Sequence, residues 1–535
     1  MSDDTRDATR NDTRSDTDGP ADPTGIGRRD LLKALASVPV LGVFFAGWYQ
    51  KKLTDDAKRE AIMAELGLEG RAPAVIPNAV SRPPGDRVRV GIVGFGGEGE
   101  SLGRCLGFAH PDWIEMEAEN HRDNPANKSL EVFMGQDDLN VSITAVCDLF
   151  DVRAERAVMA AANASGPGGA TAVAATRYRR YDELLESDVD AVVIATPDHW
   201  HTRIALDAVA AGKHVYVEKA MTRTEEEALQ MYDAVTASDI TFQVGHQQRQ
   251  SETHIKAREV VDAGVLGHVS LVEVTTNRNA PWGAWVYGID ERGTPQTIDW
   301  DQFQEPSENK VAFSPERFFR WRCWWDYGTG LAGDLMSHEY DAVNQILALG
   351  IPESVVSSGG IYYFKDGREV PDVWQAVCEY PERDLTLMYS ATLANSLYRG
   401  QVFMGHDATM QVGQTLNVTA DPYSTRYREK IDDAVIDPSR PMFSYNPRTS
   451  GVDAVTSATA AYFAQRGLLY TWRDGKMVNS YHLHIKEWID AIRGHAQTSC
   501  GIEEGFQEAI TCHMATRAYR ENRRVRWDPV ARRIV

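Results

Sequence analysis

Gly94-Phe95-Gly96-Gly97-Glu98-Gly99 fits the pattern G-x-G-x-x-G. In such a turn each glycine has its own task. Gly94 permits the tight turn, Gly96 lets the backbone approach a pyrophosphate, and Gly99 lets the next helix pack against the strand. The helix N-terminus then presents unpaired N–H groups and a partial positive charge to the phosphates. The chemistry offered is dinucleotide binding; a glycine-rich turn with no ligand is the plainer alternative, and context decides between them. Asp148 closes the run "SITAVCDLF". An acid there hydrogen-bonds an adenosine ribose and repels a 2′-phosphate, which favours NAD over NADP. The gap from motif to acid is about fifty residues, where about twenty is usual. An acidic insertion around residues 110–138 fills the difference. Asp148 as an ordinary helix cap is the alternative.

Two further segments carry residues fit for chemistry. "DAVVIATPDHWHTRIALDAVAAGKHVYVEKAMTRT" supplies two strands, and its second strand ends in Glu218-Lys219. Open parallel sheets bind ligands at those carboxyl ends. "WRCWWDYGTGLAGDLMSHEYDAVNQILALG" places Asp334 and His338 four apart on one face of a helix expected to begin near Gly333.

The elements that position these residues follow from periodicity. Val88, Val90, Ile92 and Val93 form a short apolar run ending in glycines, the pattern of a buried parallel strand. Strand-like runs recur at 141–147, 191–195, 214–217 and 241–244, with helical segments such as 201–211 and 225–237 between them. Alternating strand and helix implies a parallel sheet covered on both faces, so residues 87–246 read as a Rossmann-type α/β domain. After about Gly264 the texture changes. "VSLVEVTTNRN", "VVSSGGIYYF", "VWQAVCEY" and "TLMYSATL" alternate as longer, antiparallel strands do, and the tail returns to helix. Residues 247–535 therefore read as a second α/β domain.

The 535 residues carry a formal net charge of −21 and show no basic stripe, which argues against nucleic acid as a partner. Six scattered cysteines form no C-x-x-C pair, so neither a metal site nor a disulfide framework is expected. Residues 1–26 are rich in Asp, Thr and Arg and are expected to be disordered. Arg28-Arg29-Asp30-Leu31-Leu32-Lys33 then precedes an apolar run to Tyr49. This resembles a twin-arginine export signal, which implies a translocase partner and an extracytoplasmic address. No A-x-A cleavage site follows, so residues 27–50 are expected to act as signal or membrane anchor; a buried helix in a cytosolic protein is the alternative. Residues 51–86 read as an arm and linker, closed by Pro83-Pro84-Gly85.

From about Arg87 to Pro529 the chain resembles the Gfo/Idh/MocA oxidoreductase family. The resemblance rests on G-x-G-x-x-G, Ala195-Thr196-Pro197 with His199 and His201 after it, Glu218-Lys219, "GTGLAGDLMSHEYD" and "CHMATRAYRENRRVRWDP". It implies a Rossmann domain followed by an α/β domain with a large open, mostly antiparallel sheet often used to form homo-oligomers. It also implies a tightly held nicotinamide cofactor and sugar or cyclitol substrates. The cofactor would meet Gly94, Phe95, Gly96, Gly97, Gly99, Asp148, Thr196, Pro197, His201, Glu218 and Lys219. The family's catalytic residues fall on Lys219, Asp334 and His338. An unperturbed histidine near pH 6.5 suits a general base for a secondary alcohol. Asp334 could orient it or hold a substrate hydroxyl, and Lys219 could stabilise a developing alkoxide. His246 and Arg249 are secondary candidates, and Trp321, Trp324, Trp325 and Tyr327 could stack on a sugar or simply pack.

One residue departs from the family's Glu-Lys-Pro: Ala220 follows Lys219, which predicts a less rigidly placed lysine. Three readings follow. The first is an exported NAD-dependent oxidoreductase. The second is an NAD-dependent glycosidase that oxidises, eliminates, hydrates and re-reduces. The third is a binding protein whose NAD is structural. Twin-arginine export carries folded proteins, so a dinucleotide can be acquired before export and must then be held tightly.

Overall fold

The computed structural model describes residues 39–68, 72–78, 83, 85–447, 470–473 and 476–535. The leader and the Arg28-Arg29 motif lie outside the described residues. The chain divides into two units, Met1–Ile62 and Met63–Val535. One helix, Pro39–Glu65, runs through Gln50-Lys51-Lys52, so the expected signal and the first part of the expected arm share one element. Among the described residues no helix is long and apolar enough to cross a membrane.

The first sheet has six strands: β1 Val88–Val93, β2 Val141–Cys147, β3 Thr176–Tyr178, β4 Ala191–Ile194, β5 His214–Val217 and β6 Phe242–Val244. Their order is β3-β2-β1-β4-β5-β6, with every pairing parallel. This is the doubly wound arrangement, and its strand order reverses between β1 and β4, where a crevice must open. Val90, Ile92, Val193 and Tyr216 are fully buried in its core. Burial of each such side chain contributes about 1.5–3 kcal/mol. The same core takes in Tyr481, Ile485, Trp488 and Ile489 from the helix Ser480–Ile492. The first domain is thus completed by a helix near the end of the chain, although the sequence boundary falls at 246. The acidic insertion folds as two helices, Pro111–Asp123 and Ser129–Met134, joined by an edge-on Trp113–Phe133 contact.

The second sheet comprises β7 Val269–Asn277, β8 Ser354–Gly360, β9 Val373–Tyr380, β10 Leu385–Thr392, β11 Gln401–Gly405, β12 Ala408–Val412, β13 Leu416–Ala420 and β14 Phe443–Tyr445, with β17 Val525–Asp528 and β18 Arg533–Ile534 at one edge. A separate hairpin pairs β15 Tyr470–Arg473 with β16 Lys476–Asn479. Among the described residues of the large sheet only β7 and β10 pair in parallel and the other pairings are antiparallel, so the expected large, mostly antiparallel sheet is present. Alternating burial along β9 and β10 gives it one packed face and one solvated face. The Pro-rich segment is tied to its own chain. The amide of Ala74 donates to Glu259 at 2.6 Å, and Asn78 donates to Glu487 at 2.8 Å.

Candidate functional site

The crevice between β1 and β4 opens into a cavity of about 610 Å³. The glycine turn forms one end. Gly94 has a φ of 87°, and a Cβ there would lie 2.7 Å from the carbonyl oxygen of Ala195. A Cβ on Gly99 would run into the carbonyl oxygen of Gly94, so this glycine serves the helix–strand approach. Gly96 and Gly97 differ. A Cβ on Gly96 would meet only Arg153, at 3.6 Å, and one on Gly97 nothing within 4 Å, so the backbone there fronts open space. The helix Gly97–Cys105 starts at that point. Gly94, Gly96, Gly97, Asp148, Thr196, Pro197, His201, Glu218 and Lys219 all line the cavity. Phe95 and Gly99 do not; the Phe95 ring is buried in the domain core.

Asp148 accepts the amide of Phe95 at 2.6 Å and that of Phe150 at 2.8 Å. It therefore ties the glycine turn to the end of β2 while facing the cavity. Burial raises its carboxyl from the usual range, against the opposing effect of Arg153 and the two amides. His201 spans two carbonyl oxygens, Ala220 at 2.7 Å and Thr196 at 2.8 Å, and so braces the turn against the Lys219 segment. His199 contacts the carbonyl of Phe303 at 2.7 Å, and burial pushes it down to about 3. It is a neutral packing residue.

The other end is built around Asp334. The chain there forms a π turn, Ala332–Met336, before the helix Ser337–Leu347. Oδ1 of Asp334 accepts from Lys219 Nζ and from Arg322 Nε, both at 2.9 Å, and Oδ2 accepts from Trp285 Nε1 at 2.8 Å. Lys219 also donates to the main-chain oxygen of Asp334 at 3.0 Å. Burial acts to raise the Asp334 carboxyl, but Lys219, Arg322 and Arg278 outweigh it and hold the group far below the usual carboxylate range. Asp334 is a buried anion. The expected looseness of Lys219 is corrected by this geometry: its ammonium is held by two bonds to Asp334, and a Cβ on Gly333 would sit 3.0 Å from that of Ala220. The lysine segment packs directly on the π turn.

His338 lines the same cavity. It is not an unperturbed histidine. Burial, then Lys219 and His246, holds it well below 6.5, so the ring is a neutral base. His246 and Arg249 are displaced from their expected place. His246 is buried edge-on to His338, with ring centroids 5.7 Å apart, and Arg249 pairs with buried Asp341 at 2.7 Å; neither lines the cavity. Gln247, between them, does line it and donates to Glu218 at 2.7 Å. Of the four aromatic candidates only Trp321 lines the cavity. Its ring carries the Arg322 guanidinium at 4.1 Å. Trp324 and Tyr327 are buried in packing, and Trp325 packs under Arg520.

Glu98, Arg278, Tyr287 and Arg322 line the cavity without having been singled out from the sequence, and Trp285, buried behind the lining, donates to Asp334. Arg322 stood inside a segment already singled out for its aromatics. Trp285 carried no signal. All six cysteines are buried and unpaired. Among the described residues one group has metal-ligand spacing, His246, Asp341 and Cys500, with atoms within 4.8 Å of one another. The Arg249 guanidinium already occupies both oxygens of Asp341, at 2.9 and 3.0 Å, so a cation there would face an arginine.

Residues 88–246 match the model of the oxidoreductase family's NAD-binding Rossmann fold, and residues 293–527 match its C-terminal alpha/beta domain. The chain belongs to the Gfo/Idh/MocA family. Among curated relatives, levoglucosan dehydrogenase of Pseudarthrobacter phenanthrenivorans is 30% identical over 186 residues, 33% of this chain and 40% of that protein. Glycosyl hydrolase family 109 protein 1 of Shewanella sp. (strain MR-4) is 25% identical over 217 residues, 39% of this chain and 40% of that protein. Each match spans less than half of the relative's length. Among solved structures, levoglucosan dehydrogenase in complex with NADH and L-sorbose aligns with a TM-score of 0.53 at 16% identity, covering 83% of this chain and 100% of that one. The WlbA dehydrogenase from Bordetella pertussis in complex with NADH and UDP-GlcNAcA aligns at 0.50 and 17% identity, covering 83% and 99%. These likenesses establish the shared fold.

The residues present fit the family's NAD. Gly96 and Gly97 leave backbone open to a diphosphate at a helix N-terminus. The buried hydroxyl of Thr196 also lacks a hydrogen-bond partner among the described residues.

Proposed function

We propose that this chain is an NAD-dependent oxidoreductase that moves hydride between a tightly held nicotinamide and a secondary alcohol of a sugar or cyclitol. The observation that carries the reading is the convergence of Lys219, Asp334 and His338 at one end of a cavity whose other end is the glycine turn. Bound in this cavity, NAD supplies the hydride acceptor or donor. His338, neutral at physiological pH, takes the proton of the reacting hydroxyl. Lys219, fixed by two bonds to Asp334, offers its remaining N–H to the oxygen on which negative charge develops. Asp334 acts as the anchor of the cations; its oxygens are engaged by Lys219, Arg322 and Trp285 rather than reserved for substrate.

A second reading is an NAD-dependent glycosidase with no net redox change. The similarity to glycosyl hydrolase family 109 favours it, and the same base and cofactor would serve. Export by the twin-arginine route belongs to the proposal and rests on Arg28-Arg29-Asp30-Leu31-Leu32-Lys33. A dinucleotide held through export suits a cycle in which the cofactor is recycled on the enzyme. Homo-oligomerisation through the open sheet is proposed with it.

One assay set separates the readings. The purified protein is denatured to release and quantify dinucleotide, and the native protein is screened with sugars for NADH formation and with aryl glycosides for cleavage. NADH formation supports the dehydrogenase. Cleavage without net NADH supports the glycosidase. Bound cofactor with neither activity, unchanged by His338→Ala, leaves a binding protein.

A further inference from the structure

Arg322 lines the cavity, yet the proposed mechanism uses it only as a partner of Asp334 and gives it no contact with substrate. Its Nε is anchored on Asp334 at 2.9 Å, and its plane lies on the Trp321 ring at 4.1 Å. These contacts fix the orientation of the guanidinium. Its two terminal nitrogens make no hydrogen bond or ion pair among the described residues, and the residue lines the cavity. A guanidinium held along one edge and open along the other is a two-pronged donor, and planar carboxylates match that fork.

Charge points the same way. Lys219, Arg322 and Arg278 all act on the single carboxylate of Asp334. His338 adds none at neutral pH. The nearby acids Glu98 and Glu218 are pushed by burial toward their neutral forms, Glu218 further by Glu98 itself. Cations therefore outnumber firm anions at this end of the cavity, and a buried excess of charge is costly unless the ligand answers it.

We propose that the substrate carries a carboxylate gripped by the open edge of Arg322, so that the site takes an acidic sugar such as a uronate or aldonate in preference to a neutral polyol. This rests on the reading of the cavity as a sugar-oxidoreductase site and narrows it.

The test uses the full-length protein with its bound dinucleotide and sugar pairs that differ only in the oxidation state of the terminal carbon: glucose with glucuronate, and galactose with galacturonate. Glucose 6-phosphate is included as a non-carboxylate anion. NADH absorbance reports turnover, and saturation-transfer NMR reports binding independently of turnover. The uronates are expected to exceed their neutral partners in kcat/KM by about 100-fold, the scale of a paired charge-assisted contact. Arg322→Gln is expected to collapse that ratio, and Arg322→Lys to restore part of it. Because Arg322 also touches Asp334, the ratio and not the absolute rate is the readout. The proposal is overturned if neutral sugars are preferred, if the phosphate ester outcompetes the uronates, if Arg322→Gln lowers both members of a pair equally, or if it strips the bound dinucleotide. Arg322-dependent binding of uronates without any NADH formation would support the carboxylate site and reject the dehydrogenase reading.

Discussion

At the glycine end of the cavity the working surface is main chain: the amides and open Cα positions of Gly96 and Gly97, with a carboxylate, Asp148, spent on holding backbone. At the opposite end it is side chain: an ammonium, a guanidinium and an indole converge on one carboxylate, with a neutral imidazole one turn further on. The open backbone of the first end is built from glycines adjacent in sequence. The second is assembled across three loops and a π turn. A main-chain site tolerates change in most side chains but no extra atom at two or three positions. A side-chain network fails when any partner is lost, because the remaining buried charges stay behind.

The largest effect should come from the network. Asp334→Asn removes the anion that Lys219 and Arg322 share. Turnover should fall by about 1,000-fold or more, the scale of losing a preorganised electrostatic contact, while dinucleotide content measured after denaturation stays near one per chain. Loss of the cofactor in this variant would show that the two ends are one site energetically and break the comparison.

The next effect separates glycines within the main-chain end. Gly96→Val should leave the melting temperature within a few degrees, because a Cβ there meets only Arg153 at 3.6 Å. Bound dinucleotide should nevertheless drop below about a tenth of the wild-type content. Gly99→Ala should do the reverse and lower the melting temperature clearly, since its Cβ would strike Gly94. Full cofactor occupancy in Gly96→Val would sink the assignment of the turn.

A smaller effect concerns pH. The pKa of His338 is depressed, so its base form is already complete at neutral pH. Activity should be flat through pH 6.5 and fall only as pH drops well below it, toward the folded-state pKa. An acid limb centred on 6.5 in the kcat/KM profile would contradict the burial of this ring. Least of all, Asp148→Ser should relax the preference for NAD over NADP by about tenfold, since only one repulsive charge is removed. Competition between the two cofactors during reloading of the apoprotein measures this.

Much of the fold was legible because short apolar runs between glycines are a strong local signal. Five of the six parallel strands were expected within a residue of their observed ends, whereas β3 was missed, being three residues long with none buried. The helix Ser480–Ile492 shows a different failure. Its amphipathic pattern was plain, but pattern alone does not say which domain receives the apolar face. At the site, Lys219, Asp334 and His338 line one cavity, while His246 and Arg249 do not, since positions 246–249 point to opposite sides of the chain.

The sequence by itself determined the dinucleotide turn, the alternation that makes the parallel sheet, and the family. All of these are written in local spacing, where a few bonds fix what a residue can do. Only the tertiary structure decided the charge state and company of the side-chain end of the cavity. Lys219, Trp285 and Arg322 reach Asp334 from 115, 49 and 12 residues away, and the charges of Lys219 and Arg322 keep Asp334 ionised against the cost of its burial. Spacing along a chain carries no record of such convergence, because desolvation and charge pairing depend on distances in space.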